Sequence, residues 1–482
     1  MKKTKSVFLS LIVLTIVYSA NIFAHSSHDM VVFGNDGKYA GFTPKAKELI
    51  NKSREVLLKR KEVFSKKFRQ FDSIYHAAHI MRMLKGNMFL YGPPGGAKSL
   101  FVNWMLQYEK KSPFKIQMHQ MMSEQVFVGG QDYEAAKLGV YKVNVDGSLA
   151  SYETAIIDEI DKGNPATLAA LLSLLNERAV YLGEKTYQSL LETIFSTSNK
   201  NLYEIYAEFE KNGQGSTADA LLNRFSCIAF VPNWLEESDQ LALDNGLYVN
   251  LENDFYATQE KLDDASLQLD WKELRSLAHA LFLPTDDFSL LVRDLVNNMR
   301  KESIDYIERQ EGQYDKDVLP YYPTVQYTER LRQKIPEVIL ISLTLDFLTS
   351  SLAADVNKLE ETLKNTPNYR FSLTPLSLWR AYPILTTISY GVTGLEAKGD
   401  GLSINFGNFL DSYKGENKRV GQMIEYIKQE RNIFKSVLEG IWKAHQADMK
   451  EAVSSSSMFK CVQDTTIKSQ DIERILLFIN RK

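Results

Sequence analysis

One stretch constrains this chain more than any other: Gly92-Pro93-Pro94-Gly95-Gly96-Ala97-Lys98-Ser99. A short apolar run, Asn87-Met-Phe-Leu-Tyr91, comes just before it and reads as a buried strand. Ser99–Tyr108 follows and reads as a helix. Glycines let backbone N–H groups close round anionic oxygens, and the helix N-terminus adds partial positive charge. The spacing is that of G-x-x-x-x-G-K-[ST], with Ala97 in the place of the second glycine. In that pattern Lys98 reaches the β- and γ-phosphates of a nucleoside triphosphate, and the Ser99 hydroxyl ligates Mg²⁺. The residues expected to hold the nucleotide are Gly92, Pro93, Pro94, Gly95, Gly96, Ala97, Lys98, Ser99 and Leu100. A chance match of this kind occurs in roughly a few per cent of chains this long, so the strand before and the helix after carry weight.

A phosphate loop of this type needs a carboxylate at a strand end to hold Mg²⁺ through water. Thr154–Ile157 is an apolar run that leads into Asp158 and Glu159. Asp158 takes the Mg²⁺ role, and Glu159 is placed to activate the attacking water. Neighbours on a strand point to opposite sides, but at the strand's last residues the chain is turning, so both can serve. The opposing reading is a solvated acidic turn, since Asp161 and Lys162 follow.

Further apolar runs at Phe114–Met118, Thr193–Thr197 and Cys227–Val231 alternate with helical stretches at Pro165–Glu177 and Ala218–Arg224. That alternation predicts a mostly parallel α/β sheet. Residues 40–85 read as helix, dense in Lys, Arg, Ala and Leu. After Pro232 the character becomes helical, with long amphipathic pieces at 285–310, 326–352 and 418–450 and an irregular loop at Ala353–Asn368. The 482 residues divide into segment 1–24, an α/β core at 40–232, an all-α lid at 233–390 and a helical extension at 391–482. A formal charge of −3 gives no electrostatic reason to expect non-specific nucleic-acid binding. Two cysteines, Cys227 and Cys461, exclude a disulfide framework and a four-cysteine zinc site. One bridge stays open beside the reading of two structural thiols.

With these motifs in hand, the chain resembles the MoxR family of AAA+ ATPases, and most of all its RavA branch, whose phosphate loop also has alanine before the lysine. Ile157 to Arg178 is similar to the family's Mg²⁺/water segment and following helix. Phe195-Ser-Thr-Ser-Asn199 resembles the sensor-1 strand. Ala218-Asp-Ala-Leu-Leu-Asn-Arg224-Phe resembles the arginine-finger segment, and Thr328-Glu-Arg330-Leu-Arg the start of the sensor-2 helix. Phe371-Ser-Leu-Thr-Pro-Leu-Ser-Leu-Trp379 resembles the helix that closes the lid. The resemblance covers roughly residues 45–390. It implies a P-loop AAA+ core with a helical insert near Gln125–Gly147, a helical lid, and a ring, usually a hexamer, with ATP at subunit interfaces. It also implies chaperone-like remodelling of a protein, often beside a partner with a von Willebrand A domain. Catalytic roles then fall to Glu159, to Asn199 on the lytic water, to Arg224 reaching a neighbouring subunit's γ-phosphate, and to Arg330 sensing it from the lid. Two rivals stand beside Mg²⁺-dependent ATP hydrolysis: a nucleotide-dependent scaffold without turnover, and a ring acting on nucleic acid. Residues 400–482 depart from the family's adaptor region, so partner and substrate do not transfer.

The N-terminus departs too. Lys2, Lys3 and Lys5 precede an uncharged run from Val7 to Ala24, then polar His25-Ser-Ser-His28. This is a secretory-signal pattern, with an uncleaved anchor as the alternative. Loss of these three lysines would take the formal charge from −3 to −6. Export, secretion or anchoring conflicts with a supply of ATP. Secretion onward into a host cell, an inverted anchor, or a start nearer Met30 with a cytoplasmic chain would each resolve it. Elsewhere, the pair His76 and His79 reads as helix surface rather than metal site. Met118, Met121 and Met122 read as core and loop packing, the Lys59–Lys67 run as a solvated face, and Arg178 as a solvated helix end.

Overall fold

The computed structural model describes residues 30–33, 39–68, 71–140, 142–182, 185–200, 202–211, 215–222, 224–231, 267–284, 329–350, 352–365 and 371–373. In chain order these form β1 (Val31–Phe33), β2 (Tyr39–Phe42), α1 (Pro44–Lys67), α2 (Asp72–Leu84), β3 (Met88–Tyr91), α3 (Lys98–Leu106) and β4 (Phe114–Gln117). Then come α4 (Gln125–Val128), β5 (Gly130–Gln131), α5 (Tyr133–Lys137), β6 (Val143–Asn144), β7 (Thr154–Asp158), α6 (Pro165–Glu177), β8 (Ala179–Leu182) and β9 (Lys185–Gln188). The rest are β10 (Thr193–Ser198), α7 (Leu202–Lys211), α8 (Gly215–Leu222), β11 (Cys227–Phe230), α9 (Trp271–Leu281), β12 (Phe282–Pro284), α10 (Glu329–Thr349), α11 (Val356–Lys364) and β13 (Phe371–Leu373).

Five strands make one parallel sheet in the order β11-β3-β10-β7-β4. The fold is α/β, with helices on both faces, consistent with a P-loop AAA+ core. Parallel strands covered on both faces are continuously apolar, and every residue of β3 and β10 is buried. Alternate residues serve different cores. Met88 and Leu90 pack with Phe101, Trp104, Ile156, Phe195 and helices α1, α2, α9 and α10. Phe89 and Tyr91 pack with Ile157, Ile194, Leu171 and Phe225 on the other face. The register pairs Ser198 with Tyr91 and Gln117 with Asp158. All strands run the same way, so the ends of β3, β4, β7 and β10 lie along one edge, where ligands bind in open α/β sheets.

Local chemistry sets the helix ends. Asn164 accepts from Thr167 N at 3.0 Å, Pro165 takes the first helical position, and α6 ends on Arg178 in the left-handed region (φ 53°). Thr43 caps α1 in the same way, accepting from Ala46 N at 3.2 Å before Pro44.

Several expectations are corrected. Residues 40–85 are not one helix. Strand β2 opens the stretch, and the chain is extended at Phe68 (φ −123°) between α1 and α2. That break lets Phe68 and Phe71 both pack on Phe101. The Ala353–Asn368 loop is largely helix α11, capped by Asp355 and burying Val356, Leu359 and Leu363. Glu360 on it accepts from Phe42 N at 2.6 Å and pairs with Lys47 at 3.0 Å, which holds β2 in place. The first three residues of the expected lid helix, Phe371–Leu373, are instead a strand that pairs in parallel with β12, and residues 374–379 lie outside the described residues. The insert at Gln125–Gly147 is a short helix, α4, followed by an antiparallel β5–β6 pair that encloses a second short helix, α5. Segment 1–24, the helical stretches at 285–310 and 418–450, Cys461 and the extension at 391–482 lie outside the described residues. Among the described residues no helix is long and apolar enough to cross a membrane.

Candidate nucleotide site

Strand β3 delivers the chain to the sheet edge at Tyr91, and α3 leads away from Lys98. The turn between them takes backbone conformations that side chains resist. Gly95 has φ +85° with open space where a Cβ would stand. Ala97 caps α3 at φ 56°, in the left-handed region that favours glycine. The departure from the second glycine of the motif therefore keeps the glycine conformation, at a cost of about 1 kcal/mol.

Lys98 is 4% exposed. Its ammonium donates to Gly92 O at 2.8 Å and Pro93 O at 2.7 Å, folding back over its own loop. Burial lowers its pKa, and the negative Asp158 works against that shift. The Ser99 hydroxyl stands 3.1 Å from both oxygens of Asp158 and can donate to one of them. Thr197, on the neighbouring strand β10, also donates to Asp158. Hard oxygen donors on Ser99 and Asp158, beside a glycine-rich cradle, suit Mg²⁺ and a phosphate chain.

Glu159 leaves β7 in the left-handed region (φ 52°), so its carboxylate turns along the strand ends and not to the far sheet face. It accepts from Gln117 at the end of β4 (2.6 Å), from Lys162 (2.8 Å) and from Asn199 just past β10 (3.3 Å). Lys162, then Gln117 and Asn199, hold its pKa below the usual glutamate value against the opposing pull of burial. The solvated-turn reading fails here. Asp161 is 6% exposed and pairs with Lys200 at 3.3 Å, and Lys200 also pairs with Glu208.

The structure thus brings Lys98, Ser99, Asp158, Glu159 and Asn199 to one edge. Arg224 is elsewhere. It follows α8 and precedes β11, whose first residue Cys227 pairs with Met88 at the start of β3. That is the opposite sheet edge, roughly 13 Å away along a four-residue strand. Its guanidinium donates to Ala220 O, and its carbonyl accepts from Asn87 at 3.0 Å. Arg178 shares this edge and is not a solvated helix end. It donates to Asn87 Oδ1 at 2.9 Å and Lys85 O at 3.1 Å, and burial lowers its pKa to about 10. Arg330 lies in the first turn of α10, and its side chain is outside the described residues.

Other expectations shift as well. His79 is buried within the helical layer and His76 is half-buried, its Nε2 3.2 Å from the Ser342 hydroxyl, so neither stands on an open helix surface. Among the described residues no group of His, Cys, Asp and Glu could hold a metal ion on its own. Cys227 is a free, buried thiol, pushed up to about 12 by burial. Met118 and Met122 are core, whereas Met121 is 91% exposed. Arg60, in the run read as solvated, is 1% exposed. Sequence reasoning missed Gln117, Thr197 and Lys162. Gln117 was accessible in principle, as the last residue of a strand pairing with the carboxylate strand.

Residues 54–268 match the family model described as the MoxR domain in the MoxR-vWA-beta-propeller ternary systems. An uncharacterized protein of Methanocaldococcus jannaschii is 30% identical over 110 residues, 23% of this chain and 29% of that relative. The chain therefore spans under a third of that relative's length. A crystal structure of a candidate ATPase from Cytophaga hutchinsonii is 17% identical with a TM-score of 0.44, covering 80% of this chain and 97% of that one. The segment that carries the phosphate loop and the carboxylate strand is thus similar to the MoxR domain of the AAA+ ATPases.

Proposed function

We propose that this protein is a Mg²⁺-dependent ATPase of MoxR type that works as a ring, hexameric by family precedent, and remodels a protein partner. The observation that carries the reading is the meeting of Lys98, Ser99, Asp158 and Glu159 at the ends of parallel strands. With ATP present, Lys98 exchanges its bonds to Gly92 and Pro93 for phosphate oxygens. Ser99 and Asp158 would hold Mg²⁺, whose chemistry there would be to neutralise phosphate charge. Glu159 accepts a proton from the attacking water, and Asn199 orients that water from the next strand. Arg224 lies too far from its own phosphate loop to serve it, which supports a role on a neighbouring subunit's nucleotide. Arg330 completes the proposal as the lid's γ-phosphate sensor. The matched domain's description supports a von Willebrand A-domain protein as partner. The alanine before Lys98 supports the RavA branch.

ATP turnover by the full chain tests this reading. Glu159→Gln should bind ATP and lose most turnover, because the Mg²⁺ ligands survive and only water activation is removed. Equal turnover in Glu159→Gln would reject the assignment, and no turnover in the wild-type ring with partner present would favour a scaffold. For localisation we propose export or anchoring by residues 1–24, on the strength of Lys2, Lys3, Lys5 and the apolar run. N-terminal sequencing with fractionation tests it, and a soluble cytoplasmic chain retaining Met1 would reject it.

A further inference from the structure

Thr197 is 1% exposed and stands near the end of β10, the strand that lies between β3 and β7 in the sheet. The phosphate loop leaves β3 and the carboxylates leave β7, so β10 runs between the two halves of the nucleotide site. Alternate residues of a strand share a face. Phe195, two residues before Thr197, and Ile156, two residues before Asp158, both belong to the core that contains Phe101 of α3. Thr197 and Asp158 therefore end neighbouring rows on the face covered by the phosphate-loop helix, one step beyond the paired Ser196 and Ile157.

A valine of the same shape would suit a buried strand, whereas a buried hydroxyl costs stability unless it is bonded. The Thr197 hydroxyl donates to Asp158 Oδ1. Ser99 Oγ lies 3.1 Å from both Asp158 oxygens, and its single proton serves one of them at a time. With Thr197 on Oδ1, Oδ2 is left to Ser99. The main chain of Asp158 is held separately, by Met118 N donating to its carbonyl at 2.9 Å. What remains free is rotation of the carboxylate about its own side-chain bonds, and Thr197 restrains that from a β-branched side chain with few rotamers.

Glu159 has different supports. It takes its bonds from Gln117, Lys162 and Asn199. A change at the Thr197 hydroxyl therefore reaches Asp158 and leaves the donors to Glu159 in place. Groups that orient a metal-binding side chain typically change metal affinity by about 10–100-fold when they are removed.

We infer that Thr197 is a positioning residue for Mg²⁺: its hydroxyl sets the Asp158 carboxylate so that Asp158 and Ser99 present oxygens to one cation. This role rests on the proposed Mg²⁺–nucleotide function of the site.

The test is binding of a non-hydrolysable ATP analogue to the full chain, measured with saturating Mg²⁺ and again with EDTA. The ratio of the two affinities reports what the cation adds, and wild type should bind more tightly with Mg²⁺. Thr197→Val keeps the shape and loses the hydroxyl. It should lower the ratio about tenfold or more, while affinity in EDTA stays within about twofold of wild type. Thr197→Ser keeps a hydroxyl and should keep the ratio. Thr197→Ala also lacks the hydroxyl and should behave as the valine variant does, which keeps the test usable if Thr197→Val does not fold. An unchanged ratio in a folded variant without the hydroxyl overturns the role. So does an equal loss with Mg²⁺ and with EDTA, the mark of general damage to the loop, or a Thr197→Ser ratio as low as that of Thr197→Val. No Mg²⁺ enhancement in wild type would instead reject the cation assignment of Ser99 and Asp158 on which the role stands.

Discussion

Arg82 joins the helical layer to the sheet, and its loss should be costly in a way the structure lets us scale. The side chain is 3% exposed and reaches Glu109 through two bonds, Glu192 through one at 3.5 Å, and Thr193 at 3.1 Å. Burial pulls its pKa down, but hydrogen bonds and charge from Glu109 and Glu192 outweigh that and leave it raised. Arg82→Met keeps the apolar stem and removes the guanidinium. Glu109, with its side chain 9% exposed, then keeps only Trp271 as a side-chain donor among the described residues. Removing one member of a buried pair costs about 3–5 kcal/mol, because the other charge stays buried. The loss should appear in urea unfolding followed by tryptophan fluorescence, as a lower midpoint at unchanged slope. The double variant Arg82→Met, Glu109→Gln should recover about 1–3 kcal/mol, since the stranded charge is gone and the Gln oxygen can still accept from Trp271. A single-variant cost below about 1 kcal/mol would refute the claim that this pair is desolvated and structural.

Three further outcomes follow from the site. Lys162 is the largest cause of the lowered Glu159 pKa, so Lys162→Ala should raise it. A depressed carboxylate loses its charge only as pH falls through its folded pKa, so the acid limb of the kcat profile should move up in Lys162→Ala, and an unmoved limb would deny the pairing. Ala97→Gly should relieve the left-handed strain and stabilise the chain by about 0.5–1 kcal/mol in the same urea assay, with a destabilised variant as the contrary result. Mixed rings of Arg224→Ala and Lys98→Ala subunits should recover part of the turnover lost in each, and no recovery in demonstrably mixed rings would count against action across the interface.

Much of this was legible where local chemistry and tertiary structure agree. The Asn164-Pro165 start and the Arg178 end put α6 where its pattern predicted, and the strands around Leu90, Ile156 and Phe195 are apolar because both faces are covered. What stayed hidden depends on partners remote in sequence. Arg60 looks like any lysine-rich helix surface until Leu267 and Trp271 fold over it. Arg178 reads as a solvated end because Lys85 and Asn87 are far away in the chain. Val356–Lys364 lacks length as a helix signal, and its stability comes from Leu359 and Leu363 packing beneath Glu360's contacts with β2. Lys162 reads as part of a charged turn, and only the left-handed backbone at Glu159 brings the two side chains together.

The most direct test of the central claim is ATP affinity measured with and without Mg²⁺ for wild type, Lys98→Ala and Glu159→Gln. The account predicts Mg²⁺-enhanced binding in wild type, binding retained in Glu159→Gln, and a loss of at least about tenfold, near 1.4 kcal/mol, in Lys98→Ala. Unchanged ATP affinity in Lys98→Ala would contradict it.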